Sequence, residues 1–279
     1  MSLFDLHAWT RERPRVMGIL NVTPDSFSDG GRFFVRDMAL AEAERMIADG
    51  VDMIDLGAES TRPGAEPVSA AQELDRLGPV LEGLRGVPVR LSVDTSKPEV
   101  MREAIRLGVH LVNDVRAMQL PGALEAVSGR PVAVCLMHMR GDPSMMQNAP
   151  HYDDVVGDVE AFLLARVEAC KAAGIPPDAI AIDPGFGFGK AFGHNRELFN
   201  ALPRFVSHGY PVLVGMSRKR MIGELTGSAS PAERDAGSLA AHLLAIERGA
   251  RIVRVHAVKP MVDALRVWLG LTDAGSSAP

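Results

Sequence analysis

Eight short apolar runs alternate with helix-like segments along the chain, and this alternation limits the fold more than any other feature. The runs are rich in β-branched residues and show no polar–apolar alternation, as is typical of parallel strands buried on both faces. They are Val16–Leu20, Met53–Leu56, Val89–Val93, Val109–Val112, Val132–Met137, Ala179–Ile182, Val212–Val214 and Ile252–Val255. One run about every 35 residues is the spacing of a (β/α)8 barrel. The pattern predicts an α/β protein with a single TIM-barrel domain over residues 15–270, an N-terminal extension over 1–14 and a loose tail over 271–279. A doubly wound sheet is the alternative.

Helix start signals lie between the runs. Ser69 followed by Gln72 predicts a capping box. Ser96, two residues before Pro98, predicts an N-cap with proline in the first turn of the next helix.

Charge and composition exclude several classes of protein. The net charge of −5 argues against a broad nucleic-acid surface, which is normally basic. No apolar run is long enough to span a membrane, and the N-terminus lacks the apolar core of a secretory leader, so we expect a cytoplasmic protein. Cys135 and Cys170 both fall in apolar segments, which predicts two buried, reduced thiols.

Polar or ionisable side chains follow every predicted strand. In a barrel, the carboxyl ends of the strands form the rim that carries the active site. A single aspartate there, such as Asp94, is as often a helix cap. A ring of such groups after eight strands instead indicates one functional site.

The chemistry of these groups narrows the ligand. One set supplies donors and positive charge for a phosphate or diphosphate: Thr61, Arg62, Lys219, Arg254 and His256. The amide oxygen of Asn21 is a ligand type that Mg²⁺ accepts. A second set supplies acceptors for a flat heterocycle rich in N–H groups, such as an aminopyrimidine: Asp94, Asn113 and Asp183. The alternative is that the carboxylates only neutralise Lys219 and Arg254.

Other reaction classes fail on spacing. Gly215–Lys219 lacks the second glycine of a nucleophile elbow. Gly185–Lys190 ends in Gly-Lys, but Ala191 follows where a phosphate-binding P-loop needs Ser or Thr. Neither an HExxH motif nor a cysteine-rich pattern for zinc occurs in the sequence.

The motifs together resemble the dihydropteroate synthase family over about Val16–Arg266. The resemblance rests on Met17–Gly31, Glu59–Ala65, Ser92–Val100, Asn113–Met118, Met137–Pro143, Asp183–Lys190, Ser217–Gly223 and Arg254–Val258. Members of that family are TIM barrels, usually homodimers and targets of sulfonamides. They join p-aminobenzoate to a dihydropterin diphosphate with Mg²⁺, in folate synthesis, by an early break of the C–O bond.

The resemblance also implies roles for individual residues. Catalytic residues would be Asp94, Asp183, Lys219, Arg254 and His256. Pterin contacts would come from Asp94, Asn113, Asp183 and Lys219. Diphosphate contacts would come from Asn21, Thr61, Arg254 and His256, with Mg²⁺ at Asn21. Residues near p-aminobenzoate would be Phe27, Asp29, Arg62, Pro63, Phe188 and Arg220. The loops Asn21–Gly31 and Gly57–Val68 would close over the site.

Three positions depart from the family pattern: Ala58, Met145 and Ala257. None is a predicted ligand, so they bear on loop behaviour and local capping rather than activity. Two other functions stay open at this point. One is a pterin-binding methyltransferase domain that serves a cobalamin carrier, and the other is a non-catalytic pterin-binding relative.

Overall fold

The computed structural model describes residues 4–23, 32–59, 68–141 and 150–272, without the side chains of 32–34. These residues form eight parallel strands arranged in one sheet. The strands are β1 Arg15–Asn21, β2 Met53–Gly57, β3 Arg90–Asp94, β4 Leu111–Asp114, β5 Ala133–Met137, β6 Ile180–Asp183, β7 Leu213–Val214 and β8 Ile252–Val255. Each lies within two residues of the run that predicted it, because a strand covered on both faces must be apolar throughout.

The sheet closes into a barrel. Its order is β6-β5-β4-β3-β2-β1-β8-β7, and its two ends meet through a single bridge between Ile182 and Val212. The single-domain TIM barrel predicted from the sequence is therefore confirmed, and the doubly wound alternative is wrong.

The helices pack around the strands, and all but the first of them come after a strand in the chain. They are α1 Leu6–Arg11, α2 Arg32–Ala48, α3 Ala70–Gly83, α4 Pro98–Arg106, α5 Ala123–Val127, α6 Val155–Ala172, α7 Phe192–Asn200, α8 Leu202–Val206, α9 Arg220–Thr226, α10 Asp235–Glu247 and α11 Val258–Leu271. Short 3₁₀ turns lie at Pro177–Ala179 and Pro231–Arg234. Among the described residues, no helix is both long and apolar enough to cross a membrane.

Helix starts show where local sequence signals suffice and where they do not. The capping box of α3 forms as predicted, with Ser69 and Gln72 bonding reciprocally to each other's backbone N–H groups. At α4 the predicted N-cap is wrong: Lys97 is the N-cap residue, and the Ser96 hydroxyl donates to Asp114 instead. A buried carboxylate on the neighbouring strand draws that hydroxyl away from the helix.

The segment before β1 contributes to the packing. Phe4 and Leu6 are buried, and the guanidinium groups of Arg90 and Arg15 lie 5.0 Å and 5.2 Å from the rings of Phe4 and Trp9. Arg90 and Arg15 begin β3 and β1. Helix α1 therefore covers the amino ends of the strands, opposite the predicted site. Cys135 and Cys170 are buried and unpaired, as predicted.

Candidate active site

Strand register brings four residues of the rim to one level. Asn21 pairs with Gly57, Gly57 with Asp94, and Asp94 with Asn113, across β1 to β4. Registered partners of parallel strands point to the same side of the sheet. The predicted metal ligand and two predicted pterin contacts therefore stand side by side at the carboxyl ends of the strands.

Arg254 on β8 reaches across this rim and joins two carboxylates. Its Nε donates to Asp55 Oδ2 at 2.6 Å and its Nη2 donates to Asp94 Oδ2 at 2.7 Å. Asp55 Oδ2 also accepts from the amide of Asn113 at 3.1 Å. Asp55 is fully buried, and its one oxygen orients both Arg254 and Asn113. Sequence reasoning missed this residue, although a charge inside the apolar run Met53–Leu56 was the signal for it.

The charges of this cluster perturb one another. Burial raises the pKa of Asp94 to about 7, because the attraction of Arg254 only partly offsets the loss of water. The pKa of Arg254 is raised, since Asp55 and Asp94 together outweigh its own desolvation. Asp94 pairs with Arg254 at 2.7 Å, and the N-cap of α4 is Lys97. The guanidinium is held rigidly at the place predicted for a diphosphate.

A second cluster joins the ends of β6 and β7. Asp183 accepts from the N–H of Gly185 at 2.7 Å, and burial raises the pKa of its carboxyl group. Lys219 donates to the carbonyl of Phe186 at 2.5 Å, and its ammonium lies 4.3 Å from the centre of the Phe188 ring. Burial lowers the pKa of Lys219 to about 8, against the attraction of Asp183. A carboxylate that accepts hydrogen bonds and an ammonium that donates them are together suited to bind a polar heterocycle.

His256 stands beside Arg254 at the end of β8. Its Nδ1 lies 2.9 Å from Ser217 Oγ, which also accepts from the backbone N–H of His256 at 3.2 Å. This contact fixes the ring at the rim, where it fits the predicted role in binding a diphosphate.

The surroundings of Asn21 fit a magnesium ion that is shared with a ligand. A Cβ added to Gly57 would lie 4.0 Å from Asn21 Oδ1 and 3.9 Å from Asp94 Oδ2. The missing side chain therefore leaves space between two oxygen donors. Within the described part of the chain, the Asn21 amide has no hydrogen-bond partner, and no group of three His, Cys, Asp or Glu could hold a metal. A single protein oxygen suits Mg²⁺, which keeps waters and bridges substrate phosphates.

Of the remaining predicted contacts, the structure describes two, Phe188 and Arg220. Phe188 lies over Lys219, whereas the side chain of Arg220 is 80% exposed and pairs with Glu224 at 2.7 Å. Arg220 thus begins α9 at the edge of the site. Five predicted residues lie outside the described residues: Phe27, Asp29, Thr61, Arg62 and Pro63.

A partly buried ion cluster lies where one of the predicted loops begins and ends. Lys97 Nζ donates to Glu59 at 2.6 Å and to Glu73 at 2.8 Å. Glu73 is fully buried, and the other oxygen of Glu59 accepts from the N–H of Val68 at 3.0 Å. These bonds tie residues 59 and 68 together and anchor both to α3.

Comparison with known proteins assigns this site to a family. A family model described as "Pterin binding enzyme" matches residues 17–256, which span β1 to the end of β8. The chain belongs to the pterin-binding enzyme family. Its resemblance to dihydropteroate synthases is confirmed: the Escherichia coli K12 dihydropteroate synthase is 51% identical over 255 residues, 91% of this chain and 90% of that protein. The Haemophilus influenzae enzyme is 48% identical over 262 residues, 94% of this chain and 95% of that protein.

Solved structures of the family agree with this assignment. The dihydropteroate synthase of Xanthomonas albilineans with 4-aminobenzoic acid is 53% identical and has a TM-score of 0.88, over 96% of this chain and 94% of that one. The same organism's enzyme in complex with 7,8-dihydropteroate is 47% identical, with a TM-score of 0.82 over the same shares of the two chains. The family's barrel is thus present from end to end.

Proposed function

We propose that this chain is a dihydropteroate synthase, a transferase of folate synthesis. It condenses (7,8-dihydropterin-6-yl)methyl diphosphate with p-aminobenzoate and forms 7,8-dihydropteroate and diphosphate. The observation that carries this proposal is the rim itself. Arg254 is held between Asp55 and Asp94, and Asp183 lies beside Lys219. One opening therefore places a guanidinium that can bind a diphosphate next to a carboxylate that can bind the N–H groups of a pterin.

The pterin ring lies against the acceptors. Asp94, Asn113 and Asp183 accept its N–H groups, and Lys219 donates to its carbonyl or ring nitrogen. Asn113 and Asp183 are buried, which strengthens their hydrogen bonds to the ring.

The diphosphate leaves from the other side of the opening. The methylene C–O bond breaks and its electron pair departs with the diphosphate, whose charge Arg254 and His256 stabilise. The two aspartate carboxylates stabilise the positive charge left on the pterin-methyl group. The neutral amine of p-aminobenzoate donates its lone pair to that carbon, and the proton it loses passes to solvent.

Mg²⁺ is the proposed cofactor, with the Asn21 oxygen as its protein ligand beside Asp94. When bound, it supplies positive charge to the diphosphate oxygens and makes diphosphate a better leaving group. The proposed site for p-aminobenzoate lies toward Phe188 and Arg220, with Phe27, Asp29, Arg62 and Pro63 contributed by the two loops and Thr61 on the diphosphate. Sulfonamide sensitivity is expected there, since the Yersinia pestis dihydropteroate synthase was solved with a sulfonamide drug.

The decisive experiment measures diphosphate release with the dihydropterin diphosphate substrate, with and without p-aminobenzoate. Release that requires p-aminobenzoate, with dihydropteroate as the product, is expected. Binding of the pterin without release under either condition would support the non-catalytic alternative. Methyl transfer from a methylated pterin to cobalamin would support the methyltransferase alternative.

Two further properties are proposed with this function. We expect a homodimer located in the cytoplasm, without nucleic-acid or membrane partners. Sedimentation of the purified chain at twice its mass of 29.9 kDa is the expected result, and a monomer at micromolar concentration would contradict it.

A further inference from the structure

Lys190 is a buried lysine that the proposed reaction does not use. It ends the glycine-rich motif Gly185–Lys190 and is only 3% exposed. Its Nζ donates to the carbonyls of Gly185 at 2.8 Å, Phe188 at 3.0 Å and His138 at 3.3 Å, and lies 3.0 Å from His138 Nδ1. One side-chain nitrogen therefore ties together both ends of the segment 185–188 and the end of β5.

The same segment forms the surroundings of Lys219. Its Phe186 carbonyl accepts from Lys219 Nζ, and its Phe188 ring lies over the ammonium. A Cβ added to Gly187 would lie 3.1 Å from Lys219 Cδ, so the backbone at Gly187 packs closely on the lysine's methylene groups. The groups that hold Lys219 thus belong to the segment whose first and last carbonyls, those of Gly185 and Phe188, bond to Lys190.

The backbone of this segment follows a path that requires glycine at two positions. Gly185 and Gly189 have positive φ angles of 71° and 65°, a region that other residues rarely adopt. A Cβ at Gly185 would lie 1.8 Å from the His138 carbonyl and one at Gly189 would lie 2.2 Å from the Arg140 carbonyl. Glycine permits this close packing, and side chains then fix the segment. The Phe186 ring is fully buried, Asn195 Oδ1 accepts from the N–H of Gly187 at 2.8 Å, and Lys190 bonds to the carbonyls at both ends.

We propose that Lys190 is a positioning residue for pterin binding, which acts on Lys219 by fixing the segment 185–188. It touches neither the pterin nor the diphosphate. Through the Phe186 carbonyl and the Phe188 ring, it sets the direction in which Lys219 points into the site.

The electrostatics around Lys190 agree with this role. The ionisable groups that interact with it are His138, Asp183 and Lys219. Burial lowers the pKa of Lys190 well below its usual range, and burial together with Lys190 lowers the pKa of His138 to about 3. Asp183 opposes the desolvation of both Lys190 and Lys219, so the two lysines share the attraction of one carboxylate.

The test is a double-mutant cycle on binding of 6-hydroxymethylpterin, measured by calorimetry. Lys190→Met keeps the length of the side chain but removes its donors, and Lys171→Met, at an exposed lysine paired with Glu168, is the matched control. We expect Lys190→Met to weaken pterin binding about tenfold or more, the effect of losing one well-placed charged hydrogen bond. In a Lys219→Met background, the same substitution should change the affinity less than about twofold.

Two results would overturn the inference. One is an unchanged pterin affinity in Lys190→Met, and the other is an equal loss in both backgrounds, which would mean that Lys190 acts on the fold and not through Lys219. If Lys190→Met does not fold, Lys190→Gln keeps a donor at shorter reach, and the same cycle is run with it. The inference rests on the proposed function for its probe. Failure of the unmodified protein to bind any pterin would refute that function, whereas normal binding with no coupling would refute the inference alone.

A second readout comes from the pH dependence of pterin binding. Loosening the segment exposes Lys219 to water, and its pKa should rise from about 8 toward the ordinary value of a lysine, 10.5. The pH above which affinity falls should therefore move upward in Lys190→Met and stay in place in Lys171→Met. A purely structural role for Lys190 would lower thermal stability without moving that pH.

Discussion

Asp55→Asn tests whether the buried carboxylate beneath the rim positions Arg254, the arginine proposed to bind the diphosphate. The substitution keeps the size of the side chain but removes the charge that Arg254 meets at 2.6 Å. Breaking a buried ion pair outright costs about 3–5 kcal/mol. Arg254 keeps Asp94 at 2.7 Å, and the new amide keeps one oxygen, so we expect a smaller loss of about 2 kcal/mol in the free energy of unfolding.

Two assays follow from this number. The melting temperature should fall by roughly 4–8 °C, since a loss of 1 kcal/mol lowers it by about 2–4 °C in a chain of this size class. The kcat/KM for the dihydropterin diphosphate should fall about 10- to 100-fold, because a misdirected guanidinium loses its bond to the leaving group.

Asp52→Asn is the matched control, three residues earlier in the chain. Asp52 is a largely buried carboxylate that, like Asp55, pairs with arginine: Arg13 lies at 2.5 Å and Arg15 at 3.5 Å. It lies, however, at the amino ends of the strands. This variant should lose stability and keep its kcat/KM. If Asp55→Asn behaves in the same way, the carboxylate does not position Arg254 and the reasoning is wrong.

Four further outcomes follow from the structure. Asn21→Ala should weaken diphosphate binding in calorimetry when Mg²⁺ is present and leave it unchanged without the metal; equal losses would remove Asn21 as the ligand. Asp183→Asn should weaken pterin binding about tenfold or more, and an unchanged affinity would refute its assigned contact. The kcat/KM for the pterin substrate should fall above about pH 8, as Lys219 loses its proton, and Lys219→Met should lack that decline. Lys97→Met should lower the free energy of unfolding by about 3–5 kcal/mol in denaturant titrations, because Glu73 is left buried without its cation; a loss below about 1 kcal/mol would contradict this.

The barrel and its rim were predictable because both follow from local rules. A parallel strand covered on both faces must be apolar along its length, and its carboxyl end must be where the polar site begins. Asn21, Asp94, Asn113, Asp183, Lys219, Arg254 and His256 could be located in this way from strand ends alone, although their assigned roles stay predictions.

What the sequence did not reveal depends on contacts between distant strands. Asp55 sits within an apolar run, and its importance comes from Arg254, 199 residues further along. Ser96 looks like a helix cap until the register of β4 brings Asp114 beside it. Lys190 was noted only because its motif failed as a P-loop, since no local pattern shows that its nitrogen bonds to the carbonyls of His138, Gly185 and Phe188.

The barrel closes at Ile182 and Val212, and the boundary between β6 and β7 at this point is here called the seam. Neighbouring strands such as β1 and β2 share five registered pairs, whereas β6 and β7 share one bridge and β7 has two residues. Amide hydrogens along this seam should exchange with solvent sooner than those of β1 to β5, because fewer bonds must break to open it. Asp183 follows one flank of the seam and Lys219 follows the other. A heterocycle that binds both side chains therefore links the two ends of the sheet. Its binding should slow hydrogen exchange most strongly at the seam.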